Sequence, residues 1–176
     1  MKTYRTLRPA QGEYAPFYAG YIANVPDGDI VATLAHSAER AGELLGSVSE
    51  EVAELAYAPG KWTLKEVVQH CTDAERIFAY RALRIGRADT TDLAGWDEQA
   101  YMEPARANER TLQSLTGEFR STRDATLGLL EGLPEDAWPR RGRANGMEVS
   151  VRGIAWITAG HLLHHLGIVR ERYLGM

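Results

Sequence analysis

The chain has 176 residues, 44% hydrophobic and 25% charged, which suits one globular domain with a substantial core. A formal net charge of -4 and a pI near 5.8 argue against a broad nucleic-acid footprint, which needs clustered Lys and Arg. No apolar run approaches the roughly 20 residues of a membrane span, MKTYRTLRPAQGEY lacks the apolar region of a secretory signal, and the lone Cys71 forbids an internal disulfide, so a cytoplasmic protein is expected.

Residues 1–28 hold Pro9, Pro16 and Pro26 with several tyrosines and little periodicity. They read as an arm packed on the body, and residues 29–176 as the body itself. Strand signals are weak, and the expected class is all-α. Four stretches carry helical periodicity. The first runs from about Asp29 to Val48, with Ile30, Leu34, Ala38, Ala41 and Leu45 three or four residues apart. The second opens at Thr63, whose spacing from Glu66 is that of a capping box, and runs to about Ile85. Pro59 and Gly60 stop anything upstream. The third runs from about Ala107 to Leu133, with Leu112, Leu115, Phe119 and Leu130 inward and Pro134 as the stop. The fourth runs from about Ser150, a plausible N-cap, to Tyr173. The link from Gly86 to Arg106 is long for a bundle and predicts a crossover between helices two and three, pinned by Trp96 and Tyr101. Arg140, Arg141 and Arg143 read as a small solvated loop.

The segment GHLLHHLGIV carries three of the five histidines. With Ile154 at zero and about 100° per residue, Ile157, Thr158, Ile168 and Val169 fall within about 60°. His161 and His165 then straddle the centre of that face by about 20° each, and His164 lies about 80° away. An inward i, i+4 pair of imidazoles is placed to share a metal ion. The ordinary alternative is two core histidines, each with a hydrogen-bond partner. Periodicity leaves a third ligand open. His36 sits at the edge of its helix's stripe and reads as a surface or boundary residue. His70 lies about 90° off the face marked by Leu64, Val67, Cys71, Phe78 and Ala82.

The stretches GKWTLKEVVQHCTDAERIF, GWDEQAYME and AGHLLHHLGIVRERY, in that order, resemble the DinB/YfiT-like superfamily of metal-dependent enzymes over roughly residues 29–175. The resemblance implies a four-helix bundle, up-down-down-up, with a long crossover between helices two and three. It implies one divalent metal ion per chain, often nickel or zinc, held by one histidine of helix two and an HxxxH on the last helix. The matching positions here are His70, His161 and His165. It also implies a homodimer and, among the family's activities, S-transfer with bacillithiol or mycothiol. The family name gives no ground for DNA binding by this acidic chain.

Three imidazoles leave a divalent ion an open position, which is the catalytic pattern rather than the closed structural one. The expected function is a metal-dependent thiol S-transferase or hydrolase acting on a small molecule. Its partners would be a small thiol or an electrophile, with no nucleic acid and no membrane. The competing reading is a non-catalytic metal-binding or dimerisation scaffold, such as a sensor in a stress response. Glu66 and Asp73, at i-4 and i+3 from His70, are candidates for a base or an imidazole-orienting carboxylate. Their ordinary readings are a helix cap and a surface ion pair. Arg172 falls on the inward side of the last helix and is a candidate anion binder or C-terminal cap. Cys71 reads as a small core residue. Trp62, Trp96, Trp138 and Trp156 either line a pocket or fill the core.

Overall fold

A computed structural model describes residues 3–176. The arm contributes a short helix α1 (Ala19–Ala23). Asp29 then accepts from the Val31 and Ala32 amides and opens α2 (Ile30–Gly46), and Ser49 caps the short α3 (Glu50–Ala53). Thr63 and Glu66 satisfy each other's backbone amides in the expected capping box and start α4 (Leu64–Gly86). The crossover carries its own helix, α5 (Glu98–Ala105), capped by Asp97. Thr111 caps α6 (Leu112–Glu131), which begins later than its apolar pattern suggests because Ala107–Glu109 forms a separate 3-10 turn. Strands β1 (Arg141–Ala144) and β2 (Met147–Ser150) form a hairpin before α7 (Val151–Ile168).

Side-chain contacts give the helix directions. Arg76 meets Glu118 at 2.7 Å, and Arg123 meets Glu75, so α4 and α6 run parallel with Leu133 beside Gly86 at their far ends. Arg123 also reaches the Leu34 carbonyl, and the Leu112 amide donates to Glu50 just past α2, so α2 and α6 are antiparallel. His70 meets His161, while Gly86 lies beside Val151, so α4 and α7 are antiparallel. The result is an up-down-down-up four-helix bundle. A parallel α4–α6 pair requires the chain to return along the bundle between them. For α4, at 23 residues, that return is about 35 Å.

The core has two apolar clusters. One gathers Ile30, Leu34, Phe78, Trp138, Ile154 and Trp156. The other gathers Ala41, Leu45, Val68, Phe119, Leu162 and Leu166. His70 and His161 lie where the two meet. Nearby, Arg123, fully buried, spans three helices by donating to Glu75, the Leu34 carbonyl and the Ser37 hydroxyl.

The arm lies on the outer side of α7, where two glycines admit it. A Cβ on Gly153 would stand 2.3 Å from the Glu13 carbonyl oxygen, and one on Gly160 would stand 2.1 Å from that of Tyr21. The Glu13 carboxylate accepts from Ser150 at 2.7 Å and from Arg152. Arg8 donates to the Ile22 and Val25 carbonyls and lies over Trp156, 4.6 Å from the ring centroid. Consequently α7 is buried on nearly every side from Val151 to Leu162.

The hairpin replaces the expected loop at Arg140, Arg141 and Arg143. Asn145 and Gly146 both take positive φ, which suits the tight two-residue turn that Asn-Gly favours. Leu93 pairs alongside β1, exchanging backbone bonds with Arg143 and Asn145, so the hairpin anchors the crossover. Arg140 donates to the Gly86 carbonyl and to Asp136. Among the described residues no helix is long and apolar enough to cross a membrane.

Candidate metal centre

The three histidines singled out in the sequence converge. One ring nitrogen from each of His70, His161 and His165 lies within 4.8 Å of the others. The ring centroids are 4.5 Å apart for His161 and His165, and 4.9 Å from His70 to each. The Nε2 atoms of His70 and His161 face each other at 2.9 Å. His70 reaches this position from a flank of α4 because α4 packs on two neighbours, α6 and α7, and the flank is the side that α7 covers. His164 sits half-buried beside Tyr21, and His36 is exposed.

Burial holds all three imidazoles neutral. It lowers His70 to about 4 and His165 to about 3, and it holds His161 well below the usual histidine range with help from its neighbours. Neutral imidazole is the metal-ligating form. Two facing Nε2 atoms at 2.9 Å can share only one proton, and the buried Nδ1 atoms of His70 and His165 have no hydrogen-bond partner among the described residues. This donor set fits a divalent ion better than it fits a self-sufficient hydrogen-bonded core, where buried polar atoms find partners.

Aromatic rings wall the cluster. Trp62 lies 4.8 Å from the His70 ring, Trp96 stacks on it at 5.9 Å and 13°, and Phe78 and Tyr21 meet His161 edge-on at 5.7 and 5.5 Å. The four tryptophans thus divide: Trp62 and Trp96 flank the histidines, while Trp138 and Trp156 are fully buried core. Glu98, in the first turn of α5, brings Oε2 to 3.9 Å from His70 Nε2 while remaining half exposed. It also raises the Tyr21 hydroxyl pKa, after burial, which is the larger cause. Glu98 and Tyr21 come from the crossover and the arm, where no helical period points inward. The sequence signal for Glu98 was its place behind an N-capping Asp in GWDEQAYME.

The remaining candidates lie elsewhere. Glu66 accepts from the Thr63 amide and from Asn108, so both its oxygens serve the start of α4. Asp73 accepts from Gln69 and faces Arg76 and Glu118 on the α6 side, and burial raises its pKa. Arg172, inward by an α-helical count, is exposed. The last turn, Val169–Tyr173, is a π-helix, which advances each residue by less than the roughly 100° of an α-helix. Tyr173 turns inward instead and donates to the Trp62 carbonyl at 2.5 Å, which fixes a wall of the centre. Cys71 is buried and its thiol is pushed up by burial, so it is an inert core group.

The sequence profile of the DinB superfamily matches residues 33–169, a span that contains all three histidines. The chain belongs to the DinB superfamily. No curated protein matches its sequence. Among solved structures it is similar to YfiT from Bacillus subtilis, described as a probable metal-dependent hydrolase with an unusual four-helix bundle topology. That match has a TM-score of 0.61 at 15% identity, over 94% of this chain and 93% of the other. It is also similar to a mycothiol-dependent maleylpyruvate isomerase, with a TM-score of 0.67 at 14% identity, over 82% of this chain and 61% of the isomerase. At these identities the likeness is one of fold. The DinB fold explains the crossover and the antiparallel α4–α7 pair that brings His70 to the HxxxH.

Proposed function

We propose that this DinB protein is a divalent-metal-dependent enzyme that activates a small nucleophile for attack on a small electrophilic molecule. The observation that carries the reading is the convergence of three neutral histidines, His70 and His161 buried and His165 partly so, beside a half-exposed carboxylate, Glu98. A three-histidine ion, nickel or zinc, would lower the pKa of a bound thiol or water. His70, His161 and His165 would hold the ion, and Glu98 lies 3.9 Å from His70 Nε2. Glu98 accepts the proton that the nucleophile gives up, and its exposure lets it pass that proton to solvent. Trp62 and Trp96 exclude water from the His70 side and offer apolar surface to a substrate.

Transfer of a low-molecular-weight thiol is the favoured form, and hydrolysis the second. The two structural neighbours supply one precedent each, a mycothiol-dependent isomerase and a probable hydrolase. The test is turnover by protein loaded with nickel or zinc. Thiols including mycothiol and bacillithiol are paired with a chromogenic electrophile, beside a panel of esters and amides. The expected result is metal-dependent turnover in the thiol arm, reduced about 10²- to 10⁴-fold by Glu98→Gln with the metal retained. Metal-loaded protein that turns over nothing in either arm would leave a non-catalytic metal-binding scaffold.

A further inference from the structure

Among the described residues, the buried arginines have carboxylate partners with one exception. Arg123 is held by Glu75, and Arg152 by Glu13. Arg81, on α4 and only 5% exposed, makes no ion pair among the described residues. Its Nη2 donates to the Ala94 carbonyl at 2.9 Å, and the Tyr18 hydroxyl lies beside it. A guanidinium has five N–H donors, so most of this one's capacity is uncommitted. None of its nitrogens is both buried and unpartnered, so its remaining donors open onto solvent or the space beside it.

Arg81 lines a cavity of about 40 Å³ together with Ala15, Tyr18, Phe78, Ile154 and Ile157. One water needs roughly 10–15 Å³ by the same kind of measure, so the space admits a group of a few heavy atoms. The walls are mostly apolar. The one carboxylate on them, Glu148, belongs to the exposed hairpin and lies 3.6 Å from Arg141. The cavity adjoins the histidines, since the Phe78 ring on its wall is edge-on to His161 at 5.7 Å.

We propose that Arg81 anchors a compact carboxylate, carried on a short apolar stem, in this cavity. A single planar guanidinium matches a carboxylate with two parallel hydrogen bonds and neutralises one charge. The second charge of a phosphate would meet no other cation on these walls. The apolar walls suit the stem. A ligand held here shares the Phe78 ring as a wall with the histidine cluster. The site itself stands on Arg81 and its cavity and does not depend on the metal reading.

The test is titration of propionate into the full chain by calorimetry, at constant ionic strength and with phenanthroline present to keep metal out of the measurement. Propionamide serves as the uncharged control. Saturable binding of propionate and none of propionamide is expected. Affinity should fall about tenfold or more in Arg81→Met and severalfold in Arg81→Lys, which keeps the charge but loses the fork. Arg81→Lys keeps the comparison available if the methionine variant fails to fold. No saturable binding by the wild type, equal binding of propionamide, or unchanged affinity in both variants would overturn the proposal.

Discussion

Gly160→Ala should destabilise the protein, although alanine is the better helix former. In an open helix the exchange gains about 1 kcal/mol, because glycine loses more backbone freedom on folding. At Gly160 the added Cβ would stand 2.1 Å from the Tyr21 carbonyl oxygen and 2.5 Å from its carbon. These are backbone atoms and cannot rotate aside. The Tyr21 carbonyl is further held by the Asn24 amide at 3.1 Å. The arm must therefore retreat by about an ångström, and overpacking of this kind costs about 1–3 kcal/mol. The net expectation is a loss of about 0–2 kcal/mol, the difference of these two magnitudes. Gly167, two turns along the same helix, has open space at its Cβ position, so Gly167→Ala should gain about 0.5–1 kcal/mol. Urea unfolding of the two variants beside the wild type measures both signs. Because the Tyr21 ring abuts His161, Gly160→Ala should also weaken metal retention, whereas Gly167→Ala should not. A Gly160→Ala protein as stabilised as Gly167→Ala would refute the close approach of the arm to α7.

Two further outcomes follow from buried charge. In metal-free protein the unfolded chain takes up protons near pH 6.5, while folded His70 and His165 stay neutral down to about 4 and about 3. Stability is therefore fully present above about pH 6.5 and is lost as pH falls towards 4, at about 1.4 kcal/mol per pH unit for each histidine. Urea midpoints at pH 7, 6 and 5 check this, and a flat profile would contradict it. Glu75→Gln should cost about 3 kcal/mol or more, because it leaves Arg123 buried without its counter-charge. The paired replacement Glu75→Leu with Arg123→Met should recover most of that loss, as apolar replacements of buried ion pairs often do. Equal thermal midpoints for the two proteins would contradict the stated role of the pair.

The bundle was legible in the sequence because three of its four long helices carry one apolar stripe each, and because Thr63, Glu66 and Ser150 mark helix starts by side-chain chemistry that acts locally. The hairpin was legible in principle. Asn145-Gly146 is a strong turn signal, but the arginines on either side read as solvent-facing loop. The histidine cluster was legible only in part. His161 and His165 fall on one face by counting, whereas His70 projects from a flank, and no single-helix period reports which flank a neighbour will cover. The family resemblance supplied that third position. Glu98, Tyr21 and the cavity at Arg81 come from the crossover, the arm and the spaces between elements, where periodicity carries no information. Arg172 was misplaced because nothing in VRERY announces a change from α to π winding.

The measurement that tests the central claim most directly is metal content by mass spectrometry. Untagged protein exposed to nickel or zinc and then dialysed is compared with His70→Ala, His161→Ala and His165→Ala. The structure predicts one divalent ion per chain in the wild type, lost from each variant, with the helical circular dichroism of the variants retained. A wild type that takes up no ion, or a His161→Ala protein that keeps its ion, would contradict it.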